Sequence, residues 1–88
     1  MAKQSTLQIF LLAHCAGCAE TKRLAHLLSK DFPQLNILMV DLDDPAAEIP
    51  ESVFAAPTYV FNGRVLYIGN PRLEEIRLEI ASHMVDLC

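Results

Sequence analysis

Glycine and proline together make up a small share of this sequence, with three glycines and five prolines among 88 residues. Since 52% of the residues are hydrophobic, so few chain-breaking residues indicate a globular chain rather than a disordered one. Basic residues are also few, because seven lysines and arginines face eleven aspartates and glutamates. With no basic stripe to neutralise phosphates, we expect no nucleic-acid partner.

A membrane-spanning run is missing as well. The longest nearly uncharged stretch, Ser5–Gly17, is too short to cross a bilayer. A secretion signal at this position would need a basic start and a small-residue cleavage site, and its removal would delete the first predicted strand or the cysteines that follow. We therefore expect one domain over residues 1–88, a cytoplasmic location, no membrane partner and a monomer.

Cysteine is present in a small and odd number, as Cys15, Cys18 and Cys88, which excludes a disulfide scaffold. In a reducing compartment, two cysteines spaced C-x-x-C indicate redox cycling or metal binding more often than a permanent cross-link. We expect Cys88 to be a thiol without a task of its own.

The apolar runs predict the first half of the fold. Thr6–Ala13 is typical of a buried strand, the segment 15–32 of a helix that ends before Pro33, and Asn36–Leu42 of a second buried strand. Two such strands joined by a helix form a right-handed parallel β-α-β unit.

The second half of the sequence predicts a hairpin and a helix. The runs Thr58–Phe61 and Arg64–Ile68 flank Asn62–Gly63, which is a strong hairpin signal. Asn70 and Pro71 are typical of the cap and the first position of a helix. We therefore expect an α/β fold with the order β-α-β then β-β-α, in which a four-stranded mixed sheet has flanking helices.

Helical periodicity and the aromatic residues predict the core. The apolar side of the first helix consists of Leu24, Ala25, Leu28 and Phe32, and that of the last helix of Leu73, Ile76, Ile80, Met84 and Leu87. The aromatic residues expected in the core are Phe10, Phe32, Phe54, Tyr59 and Phe61.

The position of the C-x-x-C pair, where a strand ends and a helix begins, favours redox chemistry. Free backbone N–H groups and the helix dipole at such a junction stabilise a thiolate at the first cysteine. A structural zinc site needs four ligands, and the remaining candidates, His14, His26, His83 and Cys88, lack the required spacing. We expect no bound metal, and a purely structural role for the pair stays open as a third interpretation.

Four motifs resemble those of a known family. They are HCAGC after the first strand, VDLDDP at the end of the second, APTYVFNG in the hairpin and YIGNP before the last helix. They resemble motifs of the thioredoxin-like superfamily, above all of its short, glutaredoxin-sized members, and the resemblance covers nearly the whole chain, from about Leu7 to Leu87. The resemblance implies the thioredoxin-like fold and thiol–disulfide chemistry.

The resemblance also implies roles for single residues. Cys15 would be the exposed nucleophile and Cys18 the buried resolving cysteine, and the two would form a redox-active Cys15–Cys18 disulfide. Pro57 would follow a cis peptide bond and face the pair. The substrate-binding positions would be Ala56, through its extended backbone, Pro57, and Gly69 at the end of the last strand.

Departures from the family pattern concern the same site. Thioredoxins have tryptophan before the first cysteine and Gly-Pro between the two, whereas this sequence has His14 and Ala16–Gly17, which are therefore candidate tuning residues. The buried acidic residue and the lysine that thioredoxins place near the resolving cysteine correspond to Ile9 and Met39. Water or the substrate would then have to move the proton of that cysteine.

These features predict a dithiol–disulfide oxidoreductase that reduces disulfide-containing protein substrates. It would bind no cofactor and would take electrons from a separate reductase or a low-molecular-weight thiol. Two alternatives stay open, a non-enzymatic redox-sensing or interaction module and a glutathione-dependent glutaredoxin. The segment GNPR has only one of the two glycines with which glutaredoxins hold glutathione, and a metal-trafficking or iron–sulfur carrier is disfavoured because no third ligand lies near the cysteine pair.

Overall fold

The computed structural model describes residues 5–12 and 17–84. The elements in these ranges are, in chain order, β1 (Thr6–Leu11), α1 (Cys18–Asp31), β2 (Asn36–Asp41), β3 (Thr58–Phe61), β4 (Arg64–Ile68) and α2 (Leu73–Met84). The predicted order β-α-β then β-β-α is confirmed. Neither of these two helices is long and apolar enough to cross a membrane, within the part of the chain that the structure describes.

The four strands form one mixed sheet in the order β2-β1-β3-β4. β1 pairs parallel with β2 and antiparallel with β3, and β3 pairs antiparallel with β4. The parallel pair is joined by α1, since a parallel connection needs a long crossover. The hairpin turn uses Asn62 and Gly63, whose φ angles are both positive, at 49° and 86°, and this is the turn geometry that favours Asn-Gly.

β2 differs from the expectation in its burial. It lies at the edge of the sheet, and Leu38 and Met39 are each 43% exposed, so the prediction of a buried second strand is wrong. An apolar run predicts a strand but not the number of its neighbours, because strand order depends on the rest of the fold. β2 also ends at Asp41, one residue earlier than predicted.

Both helices pack on the same face of the sheet, over a core to which α1, α2, β1 and β3 contribute. Its buried residues include Leu7, Ile9, Leu11, Leu24, Leu28, Tyr59, Phe61, Ile76 and Ile80. On the opposite face lies a smaller cluster of Phe10, Val53 and Val60. Phe54 was expected in the core but is 78% exposed, because its neighbour Val53 takes the inward position.

The start of α2 is also later than the sequence predicts. The helix begins at Leu73, so the prediction of Asn70 as its cap and Pro71 as its first residue is wrong. The Arg72 N–H instead donates to the Glu75 carboxylate at 3.0 Å, which is one half of a capping box. Asn70 is therefore free to make contacts elsewhere.

Candidate functional site

Cys18 is the first residue of α1 and is 7% exposed. Its Sγ lies 3.2 Å from the carbonyl oxygen of Leu12, so a reduced Cys18 thiol can donate a hydrogen bond to that oxygen. In this structure Cys18 is disulfide-bonded, and a disulfide sulfur has no hydrogen to donate. Because Cys15 and Cys88 both lie outside the described residues, the Cys15–Cys18 pairing stays a prediction.

Two further predicted site residues, His14 and Ala16, also lie outside the described residues. Among the metal-ligand candidates, His26 is exposed, and His83 Nε2 lies 3.0 Å from the Glu79 carboxylate while its ring packs against Phe61. The described residues contain no group of three or more His, Cys, Asp or Glu residues that could hold a metal ion.

A cleft of about 200 Å³ opens beside Cys18, on the β2 side of the sheet. The residues that line it are Leu11, Leu12, Cys18, Lys22, Met39, Val40 and Asp41. Ile9 is fully buried and pairs in register with Met39, so these two positions bring no ionisable group towards Cys18. The charges that the cleft does contain come from Lys22 and Asp41.

Pro57 is the residue that the resemblance places opposite the cysteine pair, and that position stays a prediction. The Ala56–Pro57 peptide bond is cis, in agreement with what the resemblance implies. The carbonyl oxygen of Pro57 accepts a hydrogen bond from the Gly69 N–H at 2.7 Å, and Gly69 has a φ of 93°, a conformation that favours glycine. The structure thus joins Pro57 and Gly69, while the contact of these residues with a substrate stays a prediction.

Four residues that the sequence did not connect form a hydrogen-bond network, here named the Asn70 network: Gly17, Thr21, Tyr59 and Asn70. Asn70 Nδ2 donates to the carbonyl oxygen of Gly17 at 2.8 Å. Asn70 Oδ1 accepts from the hydroxyl groups of Thr21 at 2.6 Å and Tyr59 at 2.7 Å. Because Thr21 and Tyr59 are fully buried, their hydroxyl groups need partners, and the network supplies them directly before Cys18.

Comparison with solved structures found several thioredoxins. Thioredoxin from Fasciola hepatica is 26% identical, with a TM-score of 0.74 over 91% of this chain and 81% of the other. Mitochondrial thioredoxin 3 from Saccharomyces cerevisiae is 20% identical, with a TM-score of 0.74 over 91% and 79%. Thioredoxin-2 of the malaria parasite is 21% identical, with a TM-score of 0.79 over 94% and 86%.

The chain belongs to the thioredoxin-like superfamily. Its four-stranded mixed sheet with two helices is a thioredoxin-like fold, as the sequence motifs imply. No protein-family model and no curated protein matches the sequence. The similarity between this chain and the solved thioredoxins is therefore a similarity of fold.

One signal for the Asn70 network is present in the sequence of this thioredoxin-like chain. Thr21 lies on the same helical face as Leu24, Ala25 and Leu28, with spacings of three, four and seven residues. A polar residue at a core position of a helix needs a hydrogen-bond partner in the fold. Asn70 gives no comparable signal, because Asn followed by Pro is also typical of a helix start.

The phenol of Tyr59 stays protonated well above neutral pH. Burial raises the pKa of Tyr59 from its ordinary value to about 12, although the nearby Thr21 hydroxyl acts in the opposite direction. Tyr59 is therefore a neutral hydrogen-bond donor to Asn70 throughout the pH range in which thiol chemistry is studied.

The raised pKa of Tyr59 predicts a loss of stability between about pH 10 and pH 12. In that interval the unfolded chain releases the tyrosine proton while the folded chain keeps it, so the free energy of unfolding falls as the pH rises, by up to roughly 2 kcal/mol. Urea unfolding of the wild type and of Tyr59→Phe at pH 9 to 12 measures this contribution. The variant should have the flatter pH profile.

Tyr67→Phe is the matched control for this measurement. Burial also raises the pKa of Tyr67, but its side chain is only partly buried, so the variant should keep most of the wild-type pH dependence. Equal slopes for the wild type and Tyr59→Phe would contradict the assignment to Tyr59.

Proposed function

We propose that this thioredoxin-like chain is a dithiol–disulfide oxidoreductase that reduces protein disulfides through Cys15 and Cys18. The observation that carries the proposal is the position of Cys18 at the first residue of α1, nearly buried and beside an open cleft. A resolving cysteine needs such a place, because it must attack a sulfur within the same chain while being shielded from substrates. Cys15 precedes it by three residues, in the segment that connects β1 to the helix.

The proposed reaction has two steps. The Cys15 thiolate attacks one sulfur of the substrate disulfide, so that a mixed disulfide forms and the other substrate sulfur leaves as a thiolate. Cys18 then loses its proton and attacks the Cys15 sulfur, which breaks the mixed disulfide and releases the second substrate thiolate. Two electrons pass from the cysteine pair to the substrate, and Cys15–Cys18 is left as a disulfide.

In this proposal the proton of Cys18 does not pass to a buried carboxylate of the protein. A hydrogen bond to the Leu12 carbonyl oxygen, 3.2 Å away, stabilises the protonated thiol until the mixed disulfide has formed. Ile9 and Met39 occupy the positions at which a relay would be expected, so they offer no proton acceptor. The cleft opens beside Cys18, and solvent or the departing substrate thiolate takes the proton there.

A protein substrate suits the surface around Pro57. Phe54 lies three residues before the cis proline and is 78% exposed, and Ile68 is 55% exposed. Ile68 pairs in register with Thr58, the residue that follows Pro57. Two exposed apolar side chains near the predicted substrate edge favour an apolar polypeptide segment over a small polar disulfide.

The electron donor is proposed to be a separate reductase or a low-molecular-weight thiol, in the cytoplasm, with the chain as a monomer and without a bound cofactor. Glutathione is the less suitable electron donor, because the segment after β4 lacks the features of a dedicated glutathione-binding site. Gly69 is the only glycine in the segment after β4, and the side-chain amide of Asn70 is already bonded to Gly17, Thr21 and Tyr59.

The decisive experiment follows the reduction of a protein disulfide by the wild type with a dithiol reductant, and in parallel with glutathione alone. We expect catalytic turnover with the dithiol and a much lower rate with glutathione. Cys88→Ser is the matched control and should keep the wild-type rate. Absence of turnover with the dithiol would contradict the proposal and favour an interaction module, whereas equal rates with glutathione would identify a glutaredoxin.

A further inference from the structure

Gly17 leaves room for its neighbour Asn70, whereas its backbone conformation does not call for glycine. Its φ of −94° and ψ of 4° are accessible to residues other than glycine. A Cβ atom at this position, however, would lie only 2.8 Å from Asn70 Nδ2, well inside van der Waals contact. The Asn70 amide therefore packs directly against the peptide group that joins Gly17 to Cys18.

The hydrogen bonds allow only one orientation of this amide. Asn70 Oδ1 accepts hydrogen bonds from the hydroxyl groups of Thr21 and Tyr59, while Nδ2 donates one to the carbonyl oxygen of Gly17. The reversed amide would place two carbonyl oxygens against each other, with no hydrogen between them. Tyr59 belongs to β3 and Thr21 to α1, so the amide is held from two elements of the core.

The Gly17 carbonyl oxygen accepts two N–H groups and also lies 3.0 Å from the Thr21 hydroxyl, whose single hydrogen is directed at the nearer Asn70 Oδ1. It accepts the Thr21 backbone N–H at 3.0 Å, which is the first hydrogen bond of α1, and it accepts Asn70 Nδ2 at 2.8 Å from the connection between β4 and α2. The first bond is local to the helix, whereas the second ties the helix start to residues 53 positions further along the chain.

We propose that Asn70 is a positioning residue which sets the reduction potential of the Cys15–Cys18 pair by holding the Gly17–Cys18 peptide in place. The inference rests on the proposed function, because it assumes that these two cysteines form the redox couple. A fixed peptide keeps the Cys18 sulfur at a high effective concentration towards the Cys15 sulfur. When the peptide is released, the dithiol gains conformational freedom that the disulfide does not, and the disulfide forms less readily.

The test is the reduction potential of the wild type and of Asn70→Ala. Each protein is equilibrated in dithiol redox buffers, its thiols are alkylated, and the oxidised fraction is determined by mass. Asn70→Ala should lower the equilibrium constant for disulfide formation about tenfold, which makes the potential about 30 mV less negative. Tyr59→Phe and Thr21→Val both keep the bond between Asn70 and Gly17 and each remove one hydroxyl group that supports the Asn70 amide, so each should lower the constant about two- to threefold. Thr21→Val also removes the hydroxyl group that lies 3.0 Å from the Gly17 carbonyl oxygen, so Tyr59→Phe is the cleaner of the two variants.

Asn62→Ala is the matched control. Asn62 Oδ1 accepts a hydrogen bond from the Thr6 N–H at 2.8 Å, at the end of β1 remote from Cys18, so its removal should lower the stability and leave the potential unchanged. An Asn70→Ala potential equal to that of the wild type would overturn the inference, as would an equal shift in Asn62→Ala. If Asn70→Ala does not fold, Tyr59→Phe and Thr21→Val test the inference in its place. Unchanged reduction potentials in both of these variants would overturn the inference.

Failure of the inference and failure of the proposed function have different signatures. A wild type that titrates as a two-electron couple of Cys15 and Cys18, but does not reduce protein disulfides, contradicts the proposed function alone. The comparison of potentials then still tests Asn70. A wild type that shows no such couple contradicts both.

Discussion

Cys15→Ser should abolish the turnover of protein disulfides, with a loss of at least about a thousandfold relative to the wild type. A serine hydroxyl does not ionise near neutral pH and cannot form the mixed disulfide through which the electrons pass. Cys18 cannot replace the missing nucleophile efficiently, because it is only 7% exposed. The measurement is the rate of thiol release from a protein disulfide with a dithiol as the electron donor.

Cys18→Ser should fail at a different step. Cys15 remains able to attack the substrate, but the thiol that is proposed to break the resulting bond has been removed. A mixed disulfide between Cys15 and the substrate should therefore accumulate, visible as an adduct by mass spectrometry without reductant. Its release should then depend on the concentration of external thiol.

These two variants and Cys88→Ser form a matched set, since each exchanges one sulfur for one oxygen. Full activity in Cys15→Ser would contradict the assignment of the nucleophile. Wild-type turnover without an adduct in Cys18→Ser would show that Cys18 does not resolve the mixed disulfide. A large loss in Cys88→Ser would show that the third cysteine takes part in the cycle.

The parts of the fold that depend on short stretches of sequence are the ones that the sequence predicts well. The strands Thr58–Phe61 and Arg64–Ile68 have the predicted bounds, because Asn62–Gly63 fixes the turn and the pairing of the residues next to it. Further along the hairpin the register shifts between Val60 and Tyr59, which the turn does not predict. The buried face of α1 follows from helical periodicity in the same way, with Leu24 and Leu28 fully buried.

The parts that the sequence does not predict depend on which elements become neighbours. Met39 was expected in a buried strand but lies in an edge strand, because no further strand pairs with β2 in the described sheet. Phe54 is exposed because Val53 fills the space under the sheet. In each case the residue type is compatible with two environments, and only the tertiary structure decides between them.

The residues of the candidate site show the same difference between local features, which the sequence predicts, and long-range contacts, which it does not. The place of Cys18 follows from the C-x-x-C pair between a strand and a helix, whereas the cis bond before Pro57 was expected only from the resemblance to the thioredoxin-like superfamily. Asn70 matches the sequence pattern of a helix cap, yet its amide instead holds Gly17, 53 residues earlier in the chain. A long-range contact of this kind leaves no periodic pattern in a single sequence.

Leu28→Ala should lower the free energy of unfolding by about 2–5 kcal/mol. Leu28 is fully buried between α1 and the sheet, so the truncation removes apolar contacts and leaves a cavity. A domain of 88 residues has a total stability of roughly 4–13 kcal/mol, so this loss is a large share of the whole. Urea unfolding of the oxidised protein measures it.

Leu78→Ala is the matched control, because it makes the same exchange within a helix at a side chain that is 72% exposed. It should cost less than about 0.5 kcal/mol. Equal losses in the two variants would contradict the packing of α1 against the sheet that the structure shows.

The same measurement on the reduced protein connects stability with the redox site. Reduction and unfolding form a closed thermodynamic cycle, so a variant shifts the reduction potential only if it destabilises the oxidised and reduced proteins by different amounts. Leu28 lies ten residues after Cys18 in α1, about 15 Å along the helix, and Leu28→Ala should destabilise both forms equally. Asn70→Ala should instead destabilise the oxidised form more than the reduced form, by the free energy that corresponds to its tenfold change in the equilibrium constant, about 1.4 kcal/mol.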